Sequence, residues 1–296
     1  MAGSISVITV NYNGLELTAA LIDSLHRCVR TPLEIVVVDN GSRCDETVEL
    51  QRRYPTIRAI RSEQNLGFAG GNNIGMRVAT GDYLLLLNND TEVEDDTLHY
   101  LAAMLDAHAE VGAVCPKIRF FAPPRAIQFA GYTPLTSITL RNALVGFGAE
   151  DDGSFDASYL TPYAHGAAMM IRRELLTTAG YMPECYFLYY EELDWSERIR
   201  ERGYTIAYDP RCTVFHKESA TTGRQSPLRT FYLTRNRLLF AARNRRGAVR
   251  MLAILYQVFV AAPKCAAVSL FRGQPTLAMA VVRGVWAFWR IKNKMI

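Results

Sequence analysis

Three absences frame this sequence. Its six cysteines, Cys28, Cys44, Cys115, Cys185, Cys212 and Cys265, never form a C-x-x-C pair, which excludes a zinc knuckle or a disulfide framework and fits a reducing cytoplasm. No G-x-G-x-x-G turn follows the first apolar run, where Asn11-Tyr12-Asn13-Gly14 stands instead, so a dinucleotide-dependent dehydrogenase is disfavoured. The amino end, Met1 to Val10, has no basic stretch leading into a long apolar run and reads as an opening β-strand rather than a secretion signal. With 49% hydrophobic and 21% charged residues among 296, the composition is that of a globular chain, not of a disordered tail or a collagen.

A further absence is of acid. Ser219 to Ile296 contains no Asp or Glu against fourteen Lys and Arg; since the whole chain carries +4, the first 218 residues carry −10. An acidic body with a basic tail calls for an anionic partner, either nucleic acid or a membrane surface. The tail's arginines, among them Arg229, Arg235, Arg237 and Arg243, alternate with Phe231, Tyr232, Leu238 and Phe240, and the apolar run Met251 to Phe271 and then Trp286, Phe288 and Trp289 follow. Such a mixture suits helices lying in an anionic headgroup layer and argues against nucleic acid. Pro263 and Lys264 interrupt the run, which favours a peripheral helix over a spanning one. Ordinary packing helices with solvated arginine faces are the alternative.

In the body, the runs Ser4–Asn11, Leu33–Asp39, Thr56–Arg61, Tyr83–Asn88 and Val111–Lys117 are near-continuously apolar, as in a parallel sheet covered on both faces. Between them Leu15–Arg27, Cys44–Tyr54, Phe68–Ala79 and Asp96–His108 have helical spacing. This β/α alternation implies a doubly wound α/β domain, whose ligands gather at the carboxyl ends of the strands. Phe120 to Tyr163 is less regular and reads as a flexible loop region on the acceptor side.

The strand ends carry the chemistry. Asp39 closes the second run and stands where a carboxylate can accept hydrogen bonds from a nucleobase or ribose; turn chemistry explains such an Asp equally well. Asn88-Asn89-Asp90 follows four leucines, and Asp90 offers an oxygen ligand for a divalent cation bridging a diphosphate; alone, N-N-D also fits a turn and helix cap. The segment Asn65 to Gly75 is rich in glycine before a helix and admits close approach of a phosphate. His165-Gly166 leads into another strand. Glu191-Glu192-Leu193-Asp194-Trp195 opens an amphipathic helix that Gly203 ends, and its three crowded carboxylates raise one another's proton affinity, as a general base requires, although acids in a first turn also complement the helix dipole. Cys212 to His216 ends a short strand in an imidazole that pairs naturally with Asp90 on manganese or magnesium.

Taken in order, Val7–Asn13, Val38-Asp-Asn-Gly-Ser42, Asn65-x-Gly67-Phe-Ala-x-Gly71-x-Asn73-x-Gly75, Leu87-Asn-Asn-Asp90, Gly166 to Arg173, Tyr186 to Asp194 and His216 resemble the inverting family 2 glycosyltransferases of GT-A fold. Within them the chain is most similar to the rhamnosyltransferase-like branch that builds bacterial cell-surface polysaccharide, over about residues 4 to 245. The resemblance implies a Rossmann-like mixed sheet flanked by helices, with a catalytic domain over 1–218 (a nucleotide-sugar half to about 118, an acceptor half over 119–218) and a basic, membrane-associating helical region over 219–296. It implies that Asp39, near Thr9 and Asn11, reads the base of a nucleoside diphosphate sugar, that Asn65, Gly67, Asn73, Asn88 and Asn89 help to bind it, and that Asp90 and His216 hold Mn2+ or Mg2+. Glu192 matches the family's base, flanked by Glu191 and Asp194; His165, Gly166 and Trp195 fall on the acceptor side. Asn88 replaces the Asp of many members, and Glu192 is one methylene longer than the usual Asp. The implied donor is dTDP-rhamnose, with a UDP-sugar as the alternative, and the implied acceptor is a polyprenyl-diphosphate-linked glycan at the cytoplasmic face of the inner membrane. A sugar nucleotidyltransferase is disfavoured because Asn11-Tyr-Asn-Gly14 lacks its basic glycine-rich loop; a non-catalytic nucleotide-sugar-binding scaffold is the remaining rival.

Overall fold

The computed structural model describes residues 3–217 and 226–295. The first half alternates β1 (Ile5–Asn11), α1 (Leu15–Cys28), β2 (Leu33–Asn40), α2 (Glu46–Arg53), β3 (Arg58–Ser62), α3 (Gly67–Val78) and β4 (Tyr83–Leu87), followed by a two-residue β5 (Thr91–Glu92), α4 (Leu98–Ala107) and β6 (Val111–Phe120). Ile35 to Val38 of β2 and Leu84 to Leu87 of β4 are buried without a break, because helices cover both faces of the sheet. Helix ends follow local chemistry: the Asp45 carboxylate accepts the Thr47 N–H at 3.0 Å to start α2, and His26 and Arg27 sit in the last turn of α1, where the dipole favours positive charge.

The second half adds β7 (Ile127–Phe129), β8 (Tyr159–Leu160), β9 (Ala168–Arg172), α5 (Leu175–Thr178), α6 (Glu191–Glu201) and β10 (Thr205–His216). The sheet order is β3-β2-β1-β4-β9-β6-β10-β5, with β7 on β6 and β8 on β10. The sheet is mixed: β1 runs parallel to β2 and β4, whereas β9 lies antiparallel between β4 and β6. The simple parallel order read from the first half is therefore interrupted by a strand that enters some fifty residues later.

Two local readings need correction. Residues 120–163 are paired rather than loose: the Ala130 N–H donates to the Val145 carbonyl at 3.0 Å, the Val145 N–H to the Gly131 carbonyl at 2.8 Å, and the Thr133 N–H to the Ala143 carbonyl at 2.9 Å. Prolines and glycines hid this pairing by breaking the periodicity. Strand β10 is also longer than Cys212 to His216, because an irregularity between Asp209 and Thr213 takes up Pro210, Arg211 and Cys212 and keeps both halves paired with β6.

The basic region forms α7 (Pro227–Asn244), α8 (Gly247–Tyr256), a π-helical turn over Gln257–Ala261, α9 (Ala262–Phe271) and α10 (Pro275–Met295). Ser226 caps α7 by accepting the Arg229 N–H at 3.1 Å, with Pro227 in the first turn. Pro263 does not break the run, since the π-helical turn immediately before it already loosens the hydrogen-bond ladder a proline disrupts. Helix α7 is not a surface helix: Leu238, Leu239 and Phe240 join Tyr186, Tyr190, Leu193, Ala253 and Phe288 in a second core. Gly284 of α10 lets the helices close up, for a Cβ there would lie 2.8 Å from the Phe231 carbonyl. The outer faces stay apolar and exposed at Met251, Leu255, Phe259, Phe271 and Val282, and Gly247–Phe271 is long and apolar enough to cross a membrane.

If α10 is integral to that second core, Phe288→Ala destabilises the protein by about 3–5 kcal/mol, while Phe271→Ala, at 92% exposure, changes stability by under about 0.5 kcal/mol. Denaturant melts of both variants check this; equal, small effects would detach α10 from the fold.

Candidate active site

The turn after β4 and the end of β10 meet. Thr91 pairs with His216 across β5 and β10, and the Lys217 N–H donates to the Asp90 carbonyl at 2.9 Å, which brings Asp90 and His216 together from 126 residues apart. The Gln128 Oε1 lies 2.8 Å from His216 Nδ1; with the ring proton donated there, the Nε2 lone pair faces Asp90 Oδ1 at 3.1 Å. Two acceptors at that separation need a proton or a cation between them. The distance matches the edge of an octahedron with metal–ligand bonds of about 2.1 Å, near 3.0 Å, and a partner on the other ring nitrogen is the usual support of a metal-bound imidazole. Among the described residues no group of three or more His, Cys, Asp or Glu side chains converges, so a Mg2+- or Mn2+-like ion here would complete its shell from substrate phosphate and water.

These two residues line a cleft of 490 Å3 with Asn40, Asn65, Gly67, Asn88, Asn89, His165, Gly166, Glu191 and Glu192. The structure thus gathers ten of the residues singled out in the sequence around one cleft, together with Asn40, which stood in a quoted motif without a role of its own, and Gln128, which no motif indicated. The His165 Nδ1 accepts the Ala167 N–H at 3.1 Å, which leaves its proton on Nε2. Desolvation first, then nearby His216, pushes the imidazole down to about 3, so it stays neutral.

The acidic pair sits at the opposite wall. Glu191 is 2% exposed and its Oε2 has no hydrogen-bond partner among the described residues. Burial, then the adjacent Glu192 charge, holds its carboxyl well above the usual range, in the protonated form. Burial also raises Glu192, to about 7, against the pull of the Glu192 and Tyr190 backbone N–H groups.

A strained loop presents this pair. Phe187, Tyr189 and Tyr190 adopt φ of 65°, 68° and 78°, a left-handed region that disfavours L side chains. The Phe68 N–H donates to the Phe187 carbonyl at 2.7 Å, and at Gly67, with φ of 73°, an added Cβ would lie 2.1 Å from that same oxygen. The glycine-rich segment therefore makes room for the base loop as well as for a ligand.

Six residues expected at the site lie outside the cleft. Asp39 is wholly buried: its carboxylate accepts the Ser42 N–H at 3.1 Å and pairs with Arg61 at 3.0 Å, holding the turn while neighbouring Asn40 faces the cleft. Asn11 bonds Glu46 at 2.6 Å and Thr18 at 2.8 Å, and Thr9 is enclosed in β1. Asn73 ties α3 to Met182, donating to its carbonyl at 2.9 Å and accepting its N–H at 3.1 Å. Trp195 donates to the Gly180 carbonyl at 2.8 Å and is 1% exposed. Asp194 points into the second core, taking bonds from Tyr186, Arg243 and Asn244 at 2.8, 2.8 and 2.9 Å; helical geometry turns it away from Glu191 and Glu192. A larger cavity of 650 Å3 at the amino end of β4, beside Asp82, Tyr83 and Arg172, is lined by none of the sixteen residues expected at the site.

Gly67→Ala is expected to push the Phe187 carbonyl away and lower turnover by at least about tenfold, since misplacing a reacting group by about 1 Å costs up to about a hundredfold. A variant that melts like the parent and keeps full turnover would contradict the close approach.

Comparison with known proteins agrees with this architecture. Residues 6–179 match the profile of Glycosyl transferase family 2. The low-salt glycan biosynthesis hexosyltransferase Agl10 of Haloferax volcanii is 29% identical over 250 residues, covering 81% of this chain and 76% of that protein. The N-acetylglucosaminyl-diphospho-decaprenol L-rhamnosyltransferase of Mycobacterium tuberculosis is 22% identical over 76% of this chain and 79% of its own length. Among solved structures, GalNAc-T7 with UDP, GalNAc and Mn2+ superposes at a TM-score of 0.62 with 16% identity, over 93% of this chain but only 59% of that one. The mannosyltransferase PcManGT of Pyrobaculum calidifontis, in complex with GDP-Man and Mn2+, gives 0.60 with 19% identity, over 98% and 88%; both likenesses are of fold.

Proposed function

Since the chain belongs to glycosyl transferase family 2, a family of enzymes that transfer sugars in glycan and polysaccharide biosynthesis, we propose that Glu192 is the base of an inverting transfer. The observation that carries this is a half-buried carboxylate, raised to about 7, facing the same cleft as the Asp90–His216 pair. Glu192 takes the proton of an acceptor hydroxyl, whose oxygen bonds to the anomeric carbon opposite the departing nucleoside diphosphate. Protonated Glu191 keeps the pair at one negative charge and so keeps Glu192 basic near neutrality. His165 offers a fixed Nε2 proton, and Asn65, Asn88 and Asn89 offer amides, to sugar and phosphate oxygens. Asp90 and His216 would hold Mn2+ or Mg2+, which when bound offsets charge on the leaving diphosphate.

The donor favoured is dTDP-rhamnose, supported by the mycobacterial relative's name, with UDP-sugars second. A polyprenyl-diphosphate-linked glycan fits as acceptor: the cleft mouth carries exposed Phe147, Leu228 and Tyr12, and the basic, apolar outer face of α8 to α10 suits peripheral attachment to an anionic membrane on its cytoplasmic side. In this reading residues 1–218 are the catalytic body, and the helical region from 219 serves the membrane.

Thermal melts with dTDP, UDP and GDP, each with Mn2+ or EDTA, test the donor, because a ligand of the folded state raises the midpoint. A Mn2+-dependent rise largest with dTDP is expected; a larger rise with UDP discards rhamnose, and no rise with any nucleotide contradicts the transferase reading. The pH profile tests the base. A carboxyl of raised proton affinity ionises late, so turnover should climb through about pH 7 as the carboxylate accumulates; a profile already flat above pH 5.5 contradicts the assignment.

A further inference from the structure

We propose that Arg235 and Asn236, on α7 and beyond the segment matched by the family profile, are positioning residues for Glu192, an inference that rests on the transferase reading above. The Asn236 Nδ2 lies 3.0, 2.6 and 2.7 Å from the carbonyl oxygens of Tyr186, Leu188 and Tyr189. Its two hydrogens are shared among three acceptors, which converge only because the chain coils left-handed between them. Arg235 fixes the amide by donating from Nε to Asn236 Oδ1 at 2.8 Å, and its Nη2 reaches the carbonyls of Cys185 and Tyr186. The Arg235 guanidinium lies over the Tyr232 ring at 4.7 Å, which in turn stacks on Phe187 at 5.1 Å. Arg237 completes the grip, donating to the Tyr190 hydroxyl at 2.8 Å.

Both residues are buried, Arg235 at 8% and Asn236 at 0% exposure, in a helix whose neighbours Leu238 to Ala241 suffice for core packing. A buried arginine and asparagine aimed at the main chain do something apolar residues cannot: they satisfy carbonyls that a loop with no regular hydrogen-bond pattern leaves open. The carbonyls held, of Cys185, Tyr186, Leu188 and Tyr189, include or flank the residues with φ of 65°, 68° and 78°, and the two residues after Tyr190 are Glu191 and Glu192. Relaxation of these dihedrals swings both carboxylates relative to Asp90 and His216. The positive charge of Arg235 also lowers the proton affinity of Glu191.

The test compares Asn236→Ala, Arg235→Met and Arg235→Lys with the parent. Nucleoside diphosphate binding is read by Mn2+-dependent thermal shift with whichever of dTDP, UDP or GDP stabilises the parent most. Turnover is read as release of that diphosphate from its sugar donor in the presence of a lipid-linked glycan. Positioning predicts that kcat falls at least about tenfold in Asn236→Ala and Arg235→Met while donor KM and the diphosphate shift stay within about twofold. It also predicts that Arg235→Lys recovers part of kcat. Unchanged kcat, or kcat and diphosphate binding falling together with melting temperature, overturns the proposal. Should Asn236→Ala fail to fold, the Met and Lys variants decide alone. A parent that binds no diphosphate and turns over no donor would instead sink the transferase reading, so the two failures are distinct.

Discussion

Just ahead of the acidic pair the backbone runs three times through a conformation that side-chain-bearing residues avoid, at Phe187, Tyr189 and Tyr190. Each such residue costs on the order of 1 kcal/mol or more, so the loop keeps its shape only because its surroundings over-determine it. Helix α3 approaches from one side, where Gly67 gives the Phe187 carbonyl room and Asn73 anchors the chain at Met182. Helix α7 grips from the other, through the carbonyls of Cys185, Tyr186, Leu188 and Tyr189. The second core of Tyr186, Tyr190, Leu193, Leu239, Phe240 and Phe288 presses the two supports together. What this assembly holds is a pair of carboxyls in a desolvated wall, facing polar groups at the sheet's lip.

That lip is produced by topology. Parallel strands β1, β2 and β4 end at one side, and antiparallel β9 begins there, so Leu87 pairs with Ala168 and the turns 88–90 and 165–167 become neighbours. Strand β10 delivers His216 to the same edge after absorbing an irregularity in its pairing. Polar groups that miss the cleft serve its frame: Asn11, Asp39 and Arg61 stand side by side in register on β1, β2 and β3 and fix the turn carrying Asn40. The likeness to structures solved with nucleotide sugars and Mn2+ is then a likeness of this frame.

Much of this was legible in the sequence because the relevant signals are local. Nine of the first ten elements, all but β5, follow apolar runs and helical spacing, and Asp90, His216, Glu191 and Glu192 stand at ends of elements where chemistry is expected. Legibility failed wherever position depends on contacts distant in sequence. Asp39 and Asn40 are adjacent, and only the pairing of β2 with β3 and Arg61 decides which of them turns inward. Asp194 looks like a third member of an acidic site, yet two residues along a helix from Glu192 is a rotation of about 200°, which carries it into the second core beside Arg243. Asn236 lay hidden in a stretch whose arginines and aromatics also describe a membrane helix; an asparagine between two arginines, directly before the apolar run Leu238 to Ala242, was the available sign.

The account stands or falls on Glu192. Glu192→Gln keeps the shape and removes the proton acceptor, so sugar transfer should fall by about a hundred- to ten-thousandfold while Mn2+-dependent binding of nucleoside diphosphate, measured calorimetrically on the same sample, stays at the parental level. Transfer that survives in this variant, or transfer and binding lost together, would contradict a base presented by the strained loop.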